Sequence, residues 1–185
     1  MEATEKIVLG IDPGTTILGF GVIKGSGKKP GLMEMGIVDL RKVSDPYMKL
    51  RKIYESVTRL IEQYLPDEMA IEAPFYGKNV QSMLKLGRAQ GVAIAAAISK
   101  SVPVFEYAPR KIKMAITGIG SASKEQVATM LGNLFSVNMD NQKLDATDGL
   151  ATAVCHFYQK EDKITHTGAK NWSDFIRKNP GRVSG

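Results

Sequence analysis

The sequence predicts an α/β fold: a five-stranded mixed sheet with helices on both faces. Three observations carry this expectation. Three strand-like apolar runs precede the first helical pattern, strand and helix patterns alternate after it, and 185 residues suit one domain with a substantial core. Consecutive strands favour an antiparallel meander, and the later alternation favours parallel strands added by crossover connections.

The run Ile7-Val8-Leu9-Gly10-Ile11 gives a buried strand over 6–11, closed by the turn Asp12-Pro13-Gly14-Thr15-Thr16. A second strand covers 17–23, with Gly19 and Gly21 inside it. The glycine- and proline-rich stretch 25–31 reads as a hairpin loop, returning a third strand over 32–40. Over 46–64, Leu50, Ile53, Val57, Leu60, Ile61 and Tyr64 recur at helical spacing until Pro66. A fourth strand follows at 68–72, a helix at 79–99 and a fifth strand at 102–107. Residues 109–117 form a short helix stopped by Gly118-Ile119-Gly120. Ser123, with Gln126 three residues on, caps a helix reaching 135. The last helix spans 145–159. Residues 1–159 therefore make one domain. The remaining 160–185, with six Lys/Arg against three acids, read as a frayed basic tail, the alternative being one short, locally docked helix carrying Trp172, Phe175 and Ile176.

Net charge is +6 and the sequence pI is near 9.3, a balance that serves either solubility or a polyanionic partner such as nucleic acid. The single cysteine, Cys155, has no internal disulfide partner and lies in an apolar helical stretch, as a buried thiol does. No apolar run approaches a membrane span and no signal sequence is legible, which predicts a soluble cytoplasmic protein.

Four carboxylates stand out. Asp12 closes the first apolar run, Glu72 closes Met69-Ala70-Ile71, and Asp145 and Asp148 open the apolar run of the last helix. An acid at the edge of a core is costly to desolvate unless it is paired or bound to a cation. No run of Lys or Arg lies beside these positions in sequence. Asp12 and Glu72 end strands, where sites gather in open sheets with crossovers. Asp145 and Asp148 are three apart, hence on one helical face. Taken singly, Asp12 also suits a turn, and the later pair also complements a helix dipole. Together they predict a catalytic site of oxygen ligands suited to Mg²⁺, with Mn²⁺ as a substitute, and not to zinc. Two such ions about 3.5–4 Å apart would clamp the attacking and leaving oxygens of a phosphodiester displacement. The two histidines, His156 and His166, form no serine–histidine–aspartate pattern.

The segments that carry these acids resemble one family. Gly10-Ile11-Asp12-Pro13-Gly14-Thr15, Ile71-Glu72 followed by Phe75, residues 87–91, Gly118-Ile119-Gly120-Ser121-Ala122 and Asp145-Ala146-Thr147-Asp148-Gly149-Leu150-Ala151 are similar, in order, to the motifs of the RuvC family of Holliday-junction resolvases. The likeness spans about residues 6–158. It implies a ribonuclease H-like fold, a homodimer, and Mg²⁺-dependent paired incision of four-way DNA junctions in recombination and repair. By motif, Asp12, Glu72, Asp145 and Asp148 would be the metal ligands. The resemblance also implies a branch-migration motor complex as partner and a bacterial, nucleoid-associated setting. No role carries onto 160–185.

Phe75, Tyr76 and Lys78 follow the Glu72 strand. Aromatics there suit either stacking on unpaired bases at a distorted junction or capping of the core. Lys113 and Lys124 lie at the short helix and at the start of the next, where basic side chains favour phosphate, and both match basic, DNA-associated positions of the family. Arg110, Lys111, Lys85 and Arg88 are weaker DNA candidates. Gly87 and Gly91, near the stripe of Leu84, Ala95 and Ile98, suit either packing on the chain's own sheet or a self-complementary dimer contact. Three rivals share some of these features. An actin-like or sugar-kinase ATPase has the Asp-x-Gly-Thr turn but needs a second domain. A ribonuclease H-like enzyme acting on RNA shares the metals and charge, and a junction-binding scaffold would not need four intact acids.

Overall fold

The computed structural model describes residues 5–27, 29–74, 79–139 and 144–159. Its strands are β1 (Lys6–Asp12), β2 (Ile17–Ser26), β3 (Lys29–Asp39), β4 (Glu68–Glu72) and β5 (Val104–Tyr107). Its helices are α1 (Pro46–Tyr64), α2 (Val80–Ser99), α3 (Pro109–Thr117), α4 (Lys124–Phe135) and α5 (Leu144–Tyr158). The sheet order is β3-β2-β1-β4-β5. β1, β2 and β3 pair antiparallel as a meander, while β4 and β5 join in parallel. The expected mixed sheet of five strands is therefore present.

The strand boundaries differ from the sequence reading at the β2–β3 hairpin and at the start of β5. The hairpin is tighter than its composition suggests, because Ser26 pairs with Lys29 and Gly27 takes a left-handed φ of 61°. Pro30 enters β3 without penalty, since β3 is an edge strand and needs no donor on its open side. β5 begins later than expected, at Val104, after Pro103, whose carbonyl accepts from the Met69 amide. The caps follow the local sequence closely. Asp45 accepts from the amides of Tyr47 and Met48 at the head of α1. Ser123 and Gln126 exchange the two bonds of a capping box, and Gly118 ends α3 at φ 74°.

Period-two alternation divides the core. Leu9, Ile11, Met69 and Ile71 face one way, against α1 and α2 through Ile53, Val57, Ala89 and Ala93. Val8, Ala70 and Ile23 face the other way, with α3, α4 and α5. Gly10, Asp12 and Glu72 share that second face by register. Helix α5 is buried on nearly every side. It lies on β1, β2, β3 and β4, and α3 and α4 cover it. Among the described residues, no helix is long and apolar enough to cross a membrane.

Glycines set how deeply α5 sits. A Cβ at Gly10 would stand 2.3 Å from the Gly149 carbonyl oxygen, and one at Gly21 would stand 2.4 Å from Cα of Leu150. One at Gly19 would meet the Asp145 carbonyl oxygen at 1.8 Å. The helix answers with Gly149, whose missing side chain admits the backbone of Phe20. Backbone thus rests on backbone across the middle of the sheet. Gly21→Ala should therefore cost at least about 1–3 kcal/mol, the usual penalty of overpacking, measured by urea unfolding. A loss below about 0.5 kcal/mol, the scale of a neutral surface change, would mean that α5 can retreat freely.

Candidate active site

The glycine seat brings the four acids to one end of the sheet. Asp12 is paired in register with Gly19, and the carbonyl of Asp145 lies directly over Gly19. The first turn of α5 is thereby held beside the end of β1. Glu72 ends the neighbouring β4, where the Ala73 amide bonds the Tyr107 carbonyl at 2.9 Å and fixes the exit of the strand. Asp12, Glu72 and Asp148 line a cleft of about 600 Å³ together with Arg110, Lys113 and Lys124. Asp145 stands at its margin and is more exposed, 39% of its side chain against 16% for Asp148.

Sequence adjacency gave no cation for these acids, but the fold supplies one. Lys124, the first residue of α4, pairs with Asp148 and reaches Asp145 at 3.5 Å. Burial would lower the Lys124 pKa, yet Asp148, Asp145 and Asp12 together hold it above the usual lysine range. One ammonium is not enough for four carboxylates. Burial, then Asp148 and Asp145, push Asp12 up to about 6 against the pull of Lys124. Burial, then Asp12 and Asp148, push Glu72 up to about 8 against Lys124 and Lys113.

This shortage of positive charge is the feature a hard divalent cation would correct, and the donors are all carboxylate oxygens. The residues fit such an ion by chemistry. Among the described residues, however, no three potential ligands are gathered closely enough to hold one ion as they stand. Loading would require side-chain adjustment around Lys124.

Of the residues expected to meet DNA, Lys113 and Lys124 both line the cleft. Phe75, Tyr76 and Lys78 lie outside the described residues, as does the segment 160–185. Arg110, a weaker DNA candidate from the sequence, also lines the cleft with Lys113. Its signal was the helical spacing of three between the two. Lys111 instead sits over the Tyr107 ring, 5.1 Å from its centroid.

The sequence reading also missed a buried polar tie at the other end of α5. His156 Nδ1 lies 2.6 Å from the Tyr107 hydroxyl, and its Nε2 contacts Glu68, which also pairs with Lys6. A neutral imidazole with its proton on Nε2 satisfies both bonds. Burial keeps the His156 pKa below its usual range, although Glu68 pulls the other way. Cys155 is buried next to it, and burial pushes its thiol up to about 11, as an inert core cysteine requires.

The pKa shifts at the acids have a defined sign. Asp12 and Glu72 have folded values above their unfolded ones, so the native chain holds the extra protons. Their contribution is present at acid pH and is lost as pH rises from about 4 to about 8. His156 opposes this, gaining stability as pH rises through its unfolded value near 6.5. Melting in EDTA between pH 5 and 8 should therefore fall less steeply in Glu72→Gln than in the wild type. Identical slopes would show that Glu72 does not titrate in this window.

Comparison with known proteins gives a consistent result. The sequence profile described as crossover junction endodeoxyribonuclease RuvC matches residues 8–156. The RuvC enzyme of Bacteroides fragilis is 61% identical over 97% of this chain and 96% of its own length. That of Porphyromonas gingivalis is 52% identical over 99% of this chain and 100% of its own. Among solved structures, Thermus thermophilus RuvC in complex with Holliday junction substrate superposes with a TM-score of 0.77 at 30% identity, over 83% of this chain and 93% of that one. The shared architecture is the ribonuclease H-like fold of the resolvases. The chain belongs to the RuvC family of crossover junction endodeoxyribonucleases, a family of metal-dependent nucleases.

Proposed function

We propose that this endonuclease resolves four-way DNA junctions by paired, Mg²⁺-dependent phosphodiester hydrolysis. The observation that carries the reading is one cleft holding Asp12, Glu72 and Asp148 beside Arg110, Lys113 and Lys124. Carboxylates suit cations, and the basic rim suits the phosphates of a substrate that is itself a polyanion. Asp12, Glu72, Asp145 and Asp148 would hold two Mg²⁺ ions, or Mn²⁺ in their place. Bound there, such ions supply an activated water and neutralise charge on the departing 3′ oxygen. The protein's share is positioning. Asp12 and Glu72 stand on paired strands, Asp145 and Asp148 on the helix locked above them, and Lys113 faces them from α3. Phe75, Tyr76 and Lys78 follow Glu72 and are assigned to the junction centre, the phenyl ring replacing a stacking partner as the crossover opens.

Paired incision calls for two sites, and α2 offers a surface for a homodimer. Ala89, Ala93, Ala96 and Ala97 pack inward, whereas Leu84 and Ile98 are 56% and 65% exposed on a stripe with Gly87 and Gly91. A Cβ at either glycine meets nothing within 4 Å, so this stripe does not serve packing on the chain's own sheet. A branch-migration motor complex in the bacterial cytoplasm, at the nucleoid, completes the setting.

With Mg²⁺, a four-way junction should receive symmetric paired nicks while a linear duplex and a structured RNA stay intact. Equal cutting of duplex or RNA would replace junction resolution with general nuclease activity. Asp148→Asn should abolish cleavage and leave junction binding in Ca²⁺ nearly unchanged; appreciable turnover by this variant would remove Asp148 from the essential ligands. Phe75→Ala should slow junction cleavage by about one to two orders of magnitude, the rate equivalent of a stacking contact, without lowering the melting temperature. A large fall in melting temperature would put the ring in the core. Leu84→Glu should convert a dimer to a monomer in light scattering with unchanged helical content, and a persistent dimer would place the interface elsewhere.

A further inference from the structure

Among the described residues, Lys124 is the side chain of the cleft that forms ion pairs with the acids. Its ammonium pairs with Asp148 and lies 3.5 Å from Asp145, while Lys113 lines the same cleft and makes no ion pair among the described residues. The backbone beneath Lys124 is fixed by the Ser123–Gln126 capping box, whose bonds measure 2.8 and 3.3 Å. Its side chain is not fixed in the same way, being 48% exposed on a flexible stem with three donors. The ammonium lies against Oδ1 of Asp145 and Oδ2 of Asp148, so a cation ligated by these carboxylates competes with it for those oxygens or meets its positive charge at close range.

We propose that Lys124 is the built-in counter-ion of the acidic cluster, that a divalent cation displaces it from Asp145 and Asp148, and that the freed ammonium then takes a backbone phosphate of the substrate at the same cleft. This rests on reading the cluster as a cation site. Lys124 is accordingly a positioning residue with two successive partners. In the unloaded protein it limits repulsion among the acids. In the loaded protein it adds one phosphate contact, so cation and DNA each favour the binding of the other.

Two measurements test the exchange, neither of them activity. The first is Mn²⁺ binding to the full chain without DNA, followed by the paramagnetic signal of free Mn²⁺. Lys124→Met should bind Mn²⁺ roughly tenfold more tightly than the wild type, as removal of a competing charge at contact distance implies. Lys124→Arg, which restores the charge, should return toward the wild-type value, and Lys124→Gln repeats the neutralisation if methionine disturbs the start of α4. Equal or weaker affinity in both neutral variants, with the wild type binding and Asp148→Asn not, overturns the exchange and leaves the cation site standing. No Mn²⁺ binding by the wild type overturns both.

The second is the salt dependence of junction binding. In Ca²⁺, Lys124→Met should lower the slope of log K against log salt by about 0.9, the loss of one phosphate contact. In EDTA it should lower it by nothing, because the ammonium is engaged with the acids. Lys113→Met should lower the slope equally in both. An equal loss for Lys124→Met with and without Ca²⁺ would overturn the release step.

Discussion

The contact between helix α5 and the backbone of β1 and β2 governs the rest of the molecule. It is a glycine contact on both sides: Gly10, Gly19 and Gly21 on the sheet, Gly149 on the helix. The helix sits low on these strands, and its Leu150, Ala151, Ala153 and Val154 share one core with Val8, Ile23 and Ala70. That depth brings the first turn of α5 level with Asp12. A helix resting on ordinary β-branched side chains would ride higher above the sheet and carry its carboxylates farther from those on the strands.

Gathering the acids costs stability. Asp12 and Glu72 are driven toward their protonated forms by burial and by one another, and Lys124 offsets only part of this. The opposite end of α5 carries the reverse arrangement. There Glu68, half-buried against Lys6 and His156, stays below its usual range because both partners satisfy it, although burial alone would raise it. The same helix thus has a satisfied polar end that holds it and an acidic end whose charge is only partly compensated. Stability conceded at a site and recovered elsewhere is the common pattern for catalytic constellations.

Much of this was legible in the sequence, for definable reasons. Asp45, Ser123, Gln126 and Gly118 act through bonds to neighbours in the chain, so the heads of α1 and α4 and the end of α3 could be read directly. The acids were conspicuous because they interrupt apolar runs. What escaped depends on contacts distant in sequence. Gly19 and Gly21 look like weak points of a strand until α5 is laid over them, 126 or more residues later in the chain. Lys124 looks like any helix-start lysine, although Asp148 is its partner across 24 residues. The tie from His156 to Glu68 spans 88 residues, and no local pattern signals it. The start of β3 was misplaced because Pro30 suggests a loop, which an open edge strand tolerates, and the start of β5 because the apolar run was read through Pro103, which directly precedes the strand.

The central position of α5 has a consequence for how this molecule breathes. Surface helices fray and reseal while the rest of a domain stays folded, but α5 is covered by sheet on one side and by α3 and α4 on the other. Its amides can meet solvent only when those layers separate, so they belong with the slowest-exchanging hydrogens of the chain. Asp148, one turn into that helix and 16% exposed, shares its protection, whereas Asp145 opens the helix and is more exposed. Mild warming that mobilises the ends of α1 or α2 leaves Asp148 in place over the strands, and its position is lost only when the central layer itself opens.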